Sequence, residues 1–349
     1  MRAQVPCMKY VDIFDAAWEQ HLAPRAPDAP TVISLFAGCG GSSLGYSMAG
    51  YRELLAVEWD DNAVETFRLN FPDVPMHHGD IAALSVEQCL QLTGLQPGQL
   101  DVLDGSPPCQ GFSTAGKRMM HDSRNSLFRE YVRLLRGLQP RAFIMENVSG
   151  MVKGKMKLIF VEILKELKAS GYRVSARLMN AMYFNVPQSR ERMIFVGVRK
   201  DLGIEPSHPT ACARPSPVRT ALDGVSNATF NRPLAAVATI IWNSIRPGQN
   251  GTKYRANYYM NSVKVDPGRP APTIPKIVSG TGGHMHWQER RSLTIQEIQR
   301  IASFPDCMRF VGKYEEQYAR IGNSVPPLFM RAIAEHMRGH VLTVQERAA

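Results

Sequence analysis

The chain is expected to adopt an α/β fold, a mostly parallel sheet with helices on both faces, with a smaller irregular region attached. Three observations carry this expectation. Short apolar runs at Val32–Phe36, Leu54–Val57, Asp101–Leu103, Ala142–Met145 and Met193–Val198 read as buried strands. Helical stretches lie between several of them, and strand–helix alternation builds parallel sheets covered on both sides. After about residue 205 the texture changes, and Pro, Gly, Ser and Thr replace the alternating pattern.

In chain order, residues 8–22 place Val11, Phe14, Trp18 and Leu22 at helical spacing, which predicts a helix docked on the body. The Pro/Ala-rich APRAPDAP that follows is a linker. Met156–Ala169 is the clearest helix of the alternating region, with Leu158, Val161, Leu164 and Leu167 assigned to one face and Gly171 as its stop. Residues 210–285 show no helical period. They hold nine basic residues against two acids, 9 − 2 = +7, with Phe230, Trp242, Tyr254, Tyr258 and Tyr259 among them. Helical pattern returns at Thr294–Ser303 and Leu328–Arg338, the latter opened by Pro326-Pro327. The expected divisions are therefore 1–30, 31–205, 206–288 and 289–349.

Composition narrows the function. With 349 residues and 44% apolar content the chain can bury the cores of about two domains. The balance 41 − 31 = +10 points to an acidic polymer as partner. No run approaches the length of a membrane span, and Met1–Asp15 does not resemble a secretory leader. The six cysteines, at 7, 39, 89, 109, 212 and 307, form no Cys-x-x-Cys pair, so neither a zinc knuckle nor a disulfide framework is expected. No metal site is expected, and a reduced cytosolic protein is the default.

Ligands of parallel sheets sit beyond the carboxyl ends of the strands, so motifs there are the functional candidates. The turn Phe36-Ala37-Gly38-Cys39-Gly40-Gly41 lets backbone N–H groups approach a ligand at a helix N-terminus. It is not the dinucleotide fingerprint, because Ser43 stands where the third glycine would be. Glu58, closing the second apolar run, can hold ribose hydroxyls, and Asp80 can accept from an adenine amino group. Pro107-Pro108-Cys109 fixes a thiol just beyond a strand, with a glycine-containing loop after it, which suits a nucleophile better than a buried structural cysteine. Met145-Glu146-Asn147-Val148 puts an acid at the desolvated end of another strand, as a functional acid, a surface acid or a cap.

These blocks, together with Gln188-Ser189-Arg190-Glu191-Arg192, Arg291-Ser292-Leu293-Thr294 leading to Ser303-Phe304-Pro305-Asp306, and Gln317 through Ile321-Gly322-Asn323-Ser324-Val325-Pro326, resemble the cytosine-C5 DNA methyltransferases in order and approximate spacing. The resemblance runs from residue 31 to 337. It implies a Rossmann-like S-adenosylmethionine domain over 31–205, a target-recognition domain over 206–288, and a return to the catalytic domain over 289–349. Pro272-Thr273-Ile274 is similar to a short signature of such recognition regions. Departures from the family pattern are Ser34 for aspartate, Ser106 for glycine, Ile295-Gln296 for Pro-Arg, and Asn185 for glycine, the last a residue that tolerates left-handed backbone.

By this resemblance the protein transfers methyl from S-adenosylmethionine to cytosine C5 in double-stranded DNA, leaving S-adenosylhomocysteine. Cys109 adds to C6 of a flipped cytosine, Glu146 acts at N3, and Arg192 with Arg190 orients the base and balances charge. A free thiol with pKa about 8.5 needs such help to react. Phe36, Gly38, Cys39, Gly40, Gly41, Glu58, Trp59, Asp80, Ile81, Pro108, Asn323 and Val325 are implied for the cofactor. DNA contacts are assigned to Gln110, Ser113, Lys117, Arg118, Arg246, Lys253, Arg255, Thr273 and Lys276, with residues 111–124 as a lid over the flipped base. A monomer in a bacterial or phage-infected cytoplasm, paired with a cognate restriction endonuclease, completes the expectation. The rivals are a tRNA cytosine methyltransferase, whose Cys-Phe-Thr signature is missing here, a catalytically silent adenosylmethionine-binding regulator, and a nicotinamide oxidoreductase.

Overall fold

The structure, a computed structural model, describes residues 10–108, 126–152, 156–211, 214–225, 233–278 and 282–342. It divides into two compact units, each assembled from separated stretches of chain.

One unit comprises Pro24–Asn180, Glu191–Thr210 and Met330–Ala349. Its sheet has seven strands, β1 (Thr31–Leu35), β2 (Arg52–Glu58), β3 (Met76–His78), β4 (Val102–Gly105), β5 (Ala142–Val148), β6 (Tyr172–Asn180) and β8 (Glu191–Arg199), in the order β3-β2-β1-β4-β5-β8-β6. The first five run parallel, while β8 is antiparallel to both β5 and β6. The strand order reverses between β1 and β4, which makes their carboxyl ends a ligand crevice by topology alone. Ile33, Leu35, Leu55, Val57, Leu103, Phe143 and Phe195 pack with buried helix residues into one core. Gly197 on β8 is required there, because a Cβ would run into the Phe143 ring.

Between the strands lie α2 (Gly41–Met48), α3 (Asp61–Asn70), α4 (Val86–Thr93), α5 (Ser126–Leu138) and α6 (Met156–Ala169). The face expected for α6 is corrected. Ile159, Ile163 and Leu167 are buried, whereas Leu158 stands 63% and Val161 59% exposed. The positions 158, 161, 164 and 167 advance by three each time and so wind about 60° per step around a helix of 3.6 residues per turn. Steps of four from Ile159 drift less and keep to one stripe. Strand β6 escaped the sequence reading because its outer residues alternate with polar ones on a sheet edge.

The other unit comprises Met1–Ala23, Ala181–Arg190 and Ala211–Phe329. Helix α1 (Tyr10–Leu22) docks within it through buried Tyr10 and Ala17, with the Tyr10 hydroxyl donating to the Arg300 carbonyl at 2.8 Å. Leu22, expected on this face, is 64% exposed, and the side chain of Val11 lies outside the described ones. Two short parallel pairs brace the unit. The first is β7 (Gln188–Ser189) with β10 (Ala271–Pro272), the second β9 (Val263–Lys264) with β11 (His284–Met285).

Residues 210–285 were expected to lack helices, yet α7 (Val218–Ala221) and α8 (Ala236–Ser244) form there. The period exists in Ala238, Ile241 and Ile245, all buried, but exposed Val237 and Ile240 mask it in the sequence. Lys264 ends α8: its buried ammonium donates to the carbonyls of Trp242 (3.2 Å) and Ile245 (3.4 Å) and lies 3.5 Å over the Trp242 ring. Helices α9 (Ile295–Ile301), with a Thr294/Glu297 capping box, and α11 (Pro327–Met337) match the expected positions to within two residues, while α10 (Tyr314–Asn323) forms where no helix was expected.

Candidate active site

In the sheet unit, the backbone leaving β1 is forced into a sharp turn. Phe36 (φ 60°), Gly38 (φ 58°) and Gly40 (φ 94°) all lie in the left-handed region, which is costly for a phenylalanine. Glu58 at the end of β2 holds this turn. Its Oε2 accepts the Gly38 N–H at 2.8 Å, and its Oε1 accepts those of Trp59 (2.8 Å) and Asp60 (3.0 Å). A carboxylate has about four lone-pair sites, so buried Glu58 retains capacity for one further donor such as a sugar hydroxyl. A Cβ added at Gly38 would meet nothing within 4 Å, so the space over the turn is open. Trp59, the residue after Glu58, has 76% of its surface exposed, an aromatic face available for stacking. Asp80 is exposed and caps the turn Ile81–Ala83 by accepting from the Ala82 N–H at 2.9 Å. Cys39 and Ile81 have buried side chains, so only their backbones can face a ligand. An open glycine turn, a carboxylate with spare lone pairs and an exposed indole fit a nucleoside cofactor.

Behind the turn lie two acids that sequence reading missed, Asp104 buried and Glu53 half-buried. Asp104 of β4 sits beside Ser34 of β1 in register and accepts from the Tyr46 hydroxyl at 3.2 Å. Burial, reinforced by the nearby Glu53 carboxylate, pushes Asp104 up to about 8. Glu53 accepts from the Ser43 hydroxyl at 2.9 Å, and burial carries it up to about 7 against that hydrogen bond. The signal was present as an acid inside the strand run Val102-Leu103-Asp104, which costs free energy unless it is neutral or well bonded.

The strand ends β5 and β8 bring two predicted residues together. Glu146 lies diagonally across from Arg192, since Val148 pairs with Arg192 and Glu146 with Ile194. Arg192 Nε and Glu146 Oε1 are 2.6 Å apart, both side chains largely shielded from water. A second Arg192 donor reaches the Glu191 carbonyl at 2.7 Å. Asn147, to which no role was given, links this strand end to the Pro-Pro segment. Its buried amide donates to the Pro107 carbonyl at 3.1 Å and its Oδ1 accepts the Val148 N–H at 2.8 Å. Pro108 is exposed. Cys109, Gln110, Ser113, Lys117 and Arg118 lie outside the described residues, as does the expected lid.

In the other unit Arg190 is buried, donating to the carbonyls of Ile274 (3.1 Å) and Gly322 (2.9 Å). Gly322 must be glycine, because a Cβ would overlap the Pro275 carbonyl. The Thr273 hydroxyl donates to the Ser189 carbonyl at 2.8 Å, and the Ile274 N–H to Gln188 Oε1 at 3.2 Å. Three of the motif blocks thus meet at one hub. Asn185 adopts φ 59°, the left-handed backbone anticipated from its standing where the family pattern has glycine. Asn323 is exposed at the end of α10 and Val325 is buried. Arg246, Lys253, Arg255 and Lys276 are exposed, with Arg255 4.2 Å over the Tyr258 ring. Among the described residues no helix is long and apolar enough to cross a membrane, and no cluster of three or more His, Cys, Asp or Glu is placed to hold a metal ion.

Comparison with known proteins adds to this geometry. The family profile of the C-5 cytosine-specific DNA methylases matches residues 30–339. The Type II methyltransferase M1.HphI of Haemophilus parahaemolyticus is 33% identical over 87% of this chain and 86% of its own length. M.DdeI of Desulfomicrobium norvegicum is 32% identical over 88% of each. Among solved structures, one provisionally described as a DNA modification methyltransferase encoded within an E. coli prophage superposes with a TM-score of 0.75, 25% identity, and coverage of 90% of this chain and 100% of that one. Spodoptera frugiperda DNMT2 shares the fold at TM-score 0.65 and 18% identity, covering 89% of this chain and 99% of its own.

Proposed function

This chain belongs to the C-5 cytosine-specific DNA methylase family, and on that premise we propose that it flips a target cytosine out of double-stranded DNA and methylates C5 through a covalent bond between Cys109 and C6. It is an S-adenosylmethionine-dependent DNA methyltransferase. The relatives' Type II names support a place in a restriction–modification system, beside an endonuclease of the same specificity.

The observation that carries the site assignment is the ion pair of Glu146 with Arg192 at the strand ends, tied through Asn147 to the segment that leads into Cys109. Cytosine C5 is a poor nucleophile until C6 is attacked. The Cys109 thiolate adds to C6 while Glu146 bonds the ring at N3, so electron density moves toward C5. Arg192 holds the Glu146 carboxylate in one rotamer and supplies positive charge beside the reacting ring. S-adenosylmethionine, when bound, supplies the methyl group that C5 takes up. Loss of the C5 proton and departure of the Cys109 sulfur then restore the ring.

The Gly38–Gly41 turn and Glu58 bind the nucleoside part of the cofactor, and Trp59 stacks on its base. Phe36, Asp80 and Ile81 complete that wall, while Pro108, Asn323 and Val325 are assigned to the cofactor by the resemblance alone. Arg190 acts as a positioning residue through the carbonyls it holds. Residues 206–288 serve as the target-recognition domain, whose exposed cations Arg246, Lys253, Arg255 and Lys276 contact phosphate and so set register rather than sequence.

Glu146→Gln tests the assignment. It keeps the shape of the side chain, and turnover should fall at least tenfold more than DNA affinity does. Equal losses in both would make Glu146 a structural residue.

A further inference from the structure

Asp104 and Glu53 have no part in the reaction proposed above, yet both are built into the start of α2, the helix that opens directly from the Gly38–Gly41 turn. Asp104 stands one residue before the end of β4, level with Ser34 of β1, and accepts from the Tyr46 hydroxyl of α2 at 3.2 Å. Glu53 of β2 accepts from the Ser43 hydroxyl of α2 at 2.9 Å. Gly40, the N-cap of α2, has no side chain to satisfy the first-turn N–H groups. The backbone that would seat a cofactor is thus the backbone that carries Ser42 and Ser43 onto the acids. The groups facing these acids are hydroxyls or further acids. Ser42, Tyr46, Tyr131 of α5 and Glu146 of β5 face Asp104, and Ser34 and Ser43 face Glu53. Glu146 is itself matched by Arg192. Burial therefore keeps protons on the pair toward neutral pH, up to about 8 for Asp104 and about 7 for Glu53. Neutral amides would hold the same hydroxyls without the cost of an ionisable group inside the sheet.

S-adenosylmethionine and S-adenosylhomocysteine share their nucleoside, amino and carboxylate groups and differ at sulfur. The sulfonium of the donor carries a permanent positive charge, and the thioether of the product carries none. A sulfonium does not titrate and has no N–H or O–H to donate, so charge is the main handle by which a site separates the two. An opposite charge close by favours the ionised form of an acid by about tenfold or more. We propose that Asp104 and Glu53 distinguish the cationic methyl donor from its neutral product, the pair giving up a proton when a sulfonium occupies the turn and regaining it after the methyl group has left. The inference rests on the reading of the Gly38–Gly41 turn as the S-adenosylmethionine site. Charge balances at each stage. The proton released on donor binding goes to water, and when the sulfur becomes a neutral thioether the carboxylate takes a proton back from water. The product then lacks the attraction that held the donor, and it leaves more readily.

Calorimetric titration of the full-length protein with each ligand, without DNA, tests this between pH 6 and 8.5. At low pH the donor must expel a proton from the pair in order to be held by a carboxylate. As pH rises the acids are already ionised, so donor binding tightens relative to product binding. The ratio of the two affinities should therefore move toward S-adenosylmethionine by about tenfold across this range in the wild type. The double variant Asp104→Asn/Glu53→Gln keeps oxygens for the hydroxyls and cannot ionise, so its ratio should lack that rise. The ligands' own amino groups titrate alike with either protein and cancel in the comparison. Asp104→Asn alone should remove the part of the rise that lies above pH 7. Binding of S-adenosylhomocysteine at pH 6 and circular dichroism report that each variant is folded. Donor binding to the wild type near pH 7.5 should also release protons, seen as heats that depend on the ionisation enthalpy of the buffer, and product binding should release fewer. Equal pH courses for the ratio in the wild type and both variants, with both ligands bound, overturn the inference alone. A wild type that binds neither ligand overturns the cofactor reading as well, which separates the two failures.

Discussion

Replacing Asp104 by Asn should stabilise the protein selectively at alkaline pH. Asp104 is 3% exposed and its pKa is carried from 3.8 to about 8, chiefly by burial. An acid whose folded pKa is raised holds a proton that the unfolded chain releases. Its contribution is therefore complete below pH 4 and lost as pH rises toward about 8. Between pH 6.5 and 8.5 the unfolded group is already ionised. At about 1.4 kcal/mol per decade of proton affinity, the wild type should lose on the order of 2 kcal/mol there through Asp104 and about 1 kcal/mol through Glu53, whose pKa stands at about 7. Asparagine keeps an oxygen for the Tyr46 hydroxyl and stays neutral at every pH. Urea unfolding at pH 6.5 and 8.5, followed by tryptophan fluorescence and circular dichroism, should show a clear fall in midpoint for the wild type and a much smaller one for Asp104→Asn. Midpoints that fall in parallel would refute the claim that a buried neutral acid underlies the Gly38–Gly41 turn.

Three further outcomes follow from particular contacts. Asn147→Ala orphans the Pro107 carbonyl and the Val148 N–H, so it should cost about 2 kcal/mol by denaturant unfolding. It should also depress kcat more than the KM for S-adenosylmethionine; an unchanged kcat would remove Asn147 from the positioning of the Pro-Pro-Cys segment. Gly322→Ala should cost about 3 kcal/mol or more in thermal melts, because the new methyl meets backbone rather than a movable side chain. On the acid side, burial lowers His208 and His284 to about 4, and each stays neutral in the fold while the unfolded chain binds protons below 6.5. Stability through these groups is lost as pH falls from 6.5 toward 4, and His284→Gln should flatten that limb of the urea midpoint profile.

Much of the seven-stranded sheet unit was legible because its central strands are buried and its motifs sit at their ends. Val32, Leu55, Leu103, Ile144 and Val196 are hydrophobic whatever their neighbours, so simple apolar runs disclosed five strands. What escaped depended on partners distant in sequence. No local pattern says that Asn147 reaches Pro107, that Arg190 bonds carbonyls 84 and 132 residues away, or that Asp104 faces Tyr46. Helix α8 was hidden because its exposed face is nearly as apolar as its buried one. The charge excess of residues 210–285 could not show which of its cations reach solvent and which are spent inside the unit. Lys264, counted among the nine cations, is buried as a helix cap, and Thr273 spends its proton on Ser189.

The central claim is that this chain transfers methyl groups to cytosine C5 of DNA with Cys109 as nucleophile. Labelled S-adenosylmethionine should be incubated with double-stranded DNA, and separately with tRNA, in the presence of the wild type and of Cys109→Ser. Label recovered as 5-methylcytosine in DNA from the wild type, with none from Cys109→Ser at undiminished S-adenosylmethionine binding, is the predicted result. Full activity in Cys109→Ser, or label entering tRNA alone, would contradict it.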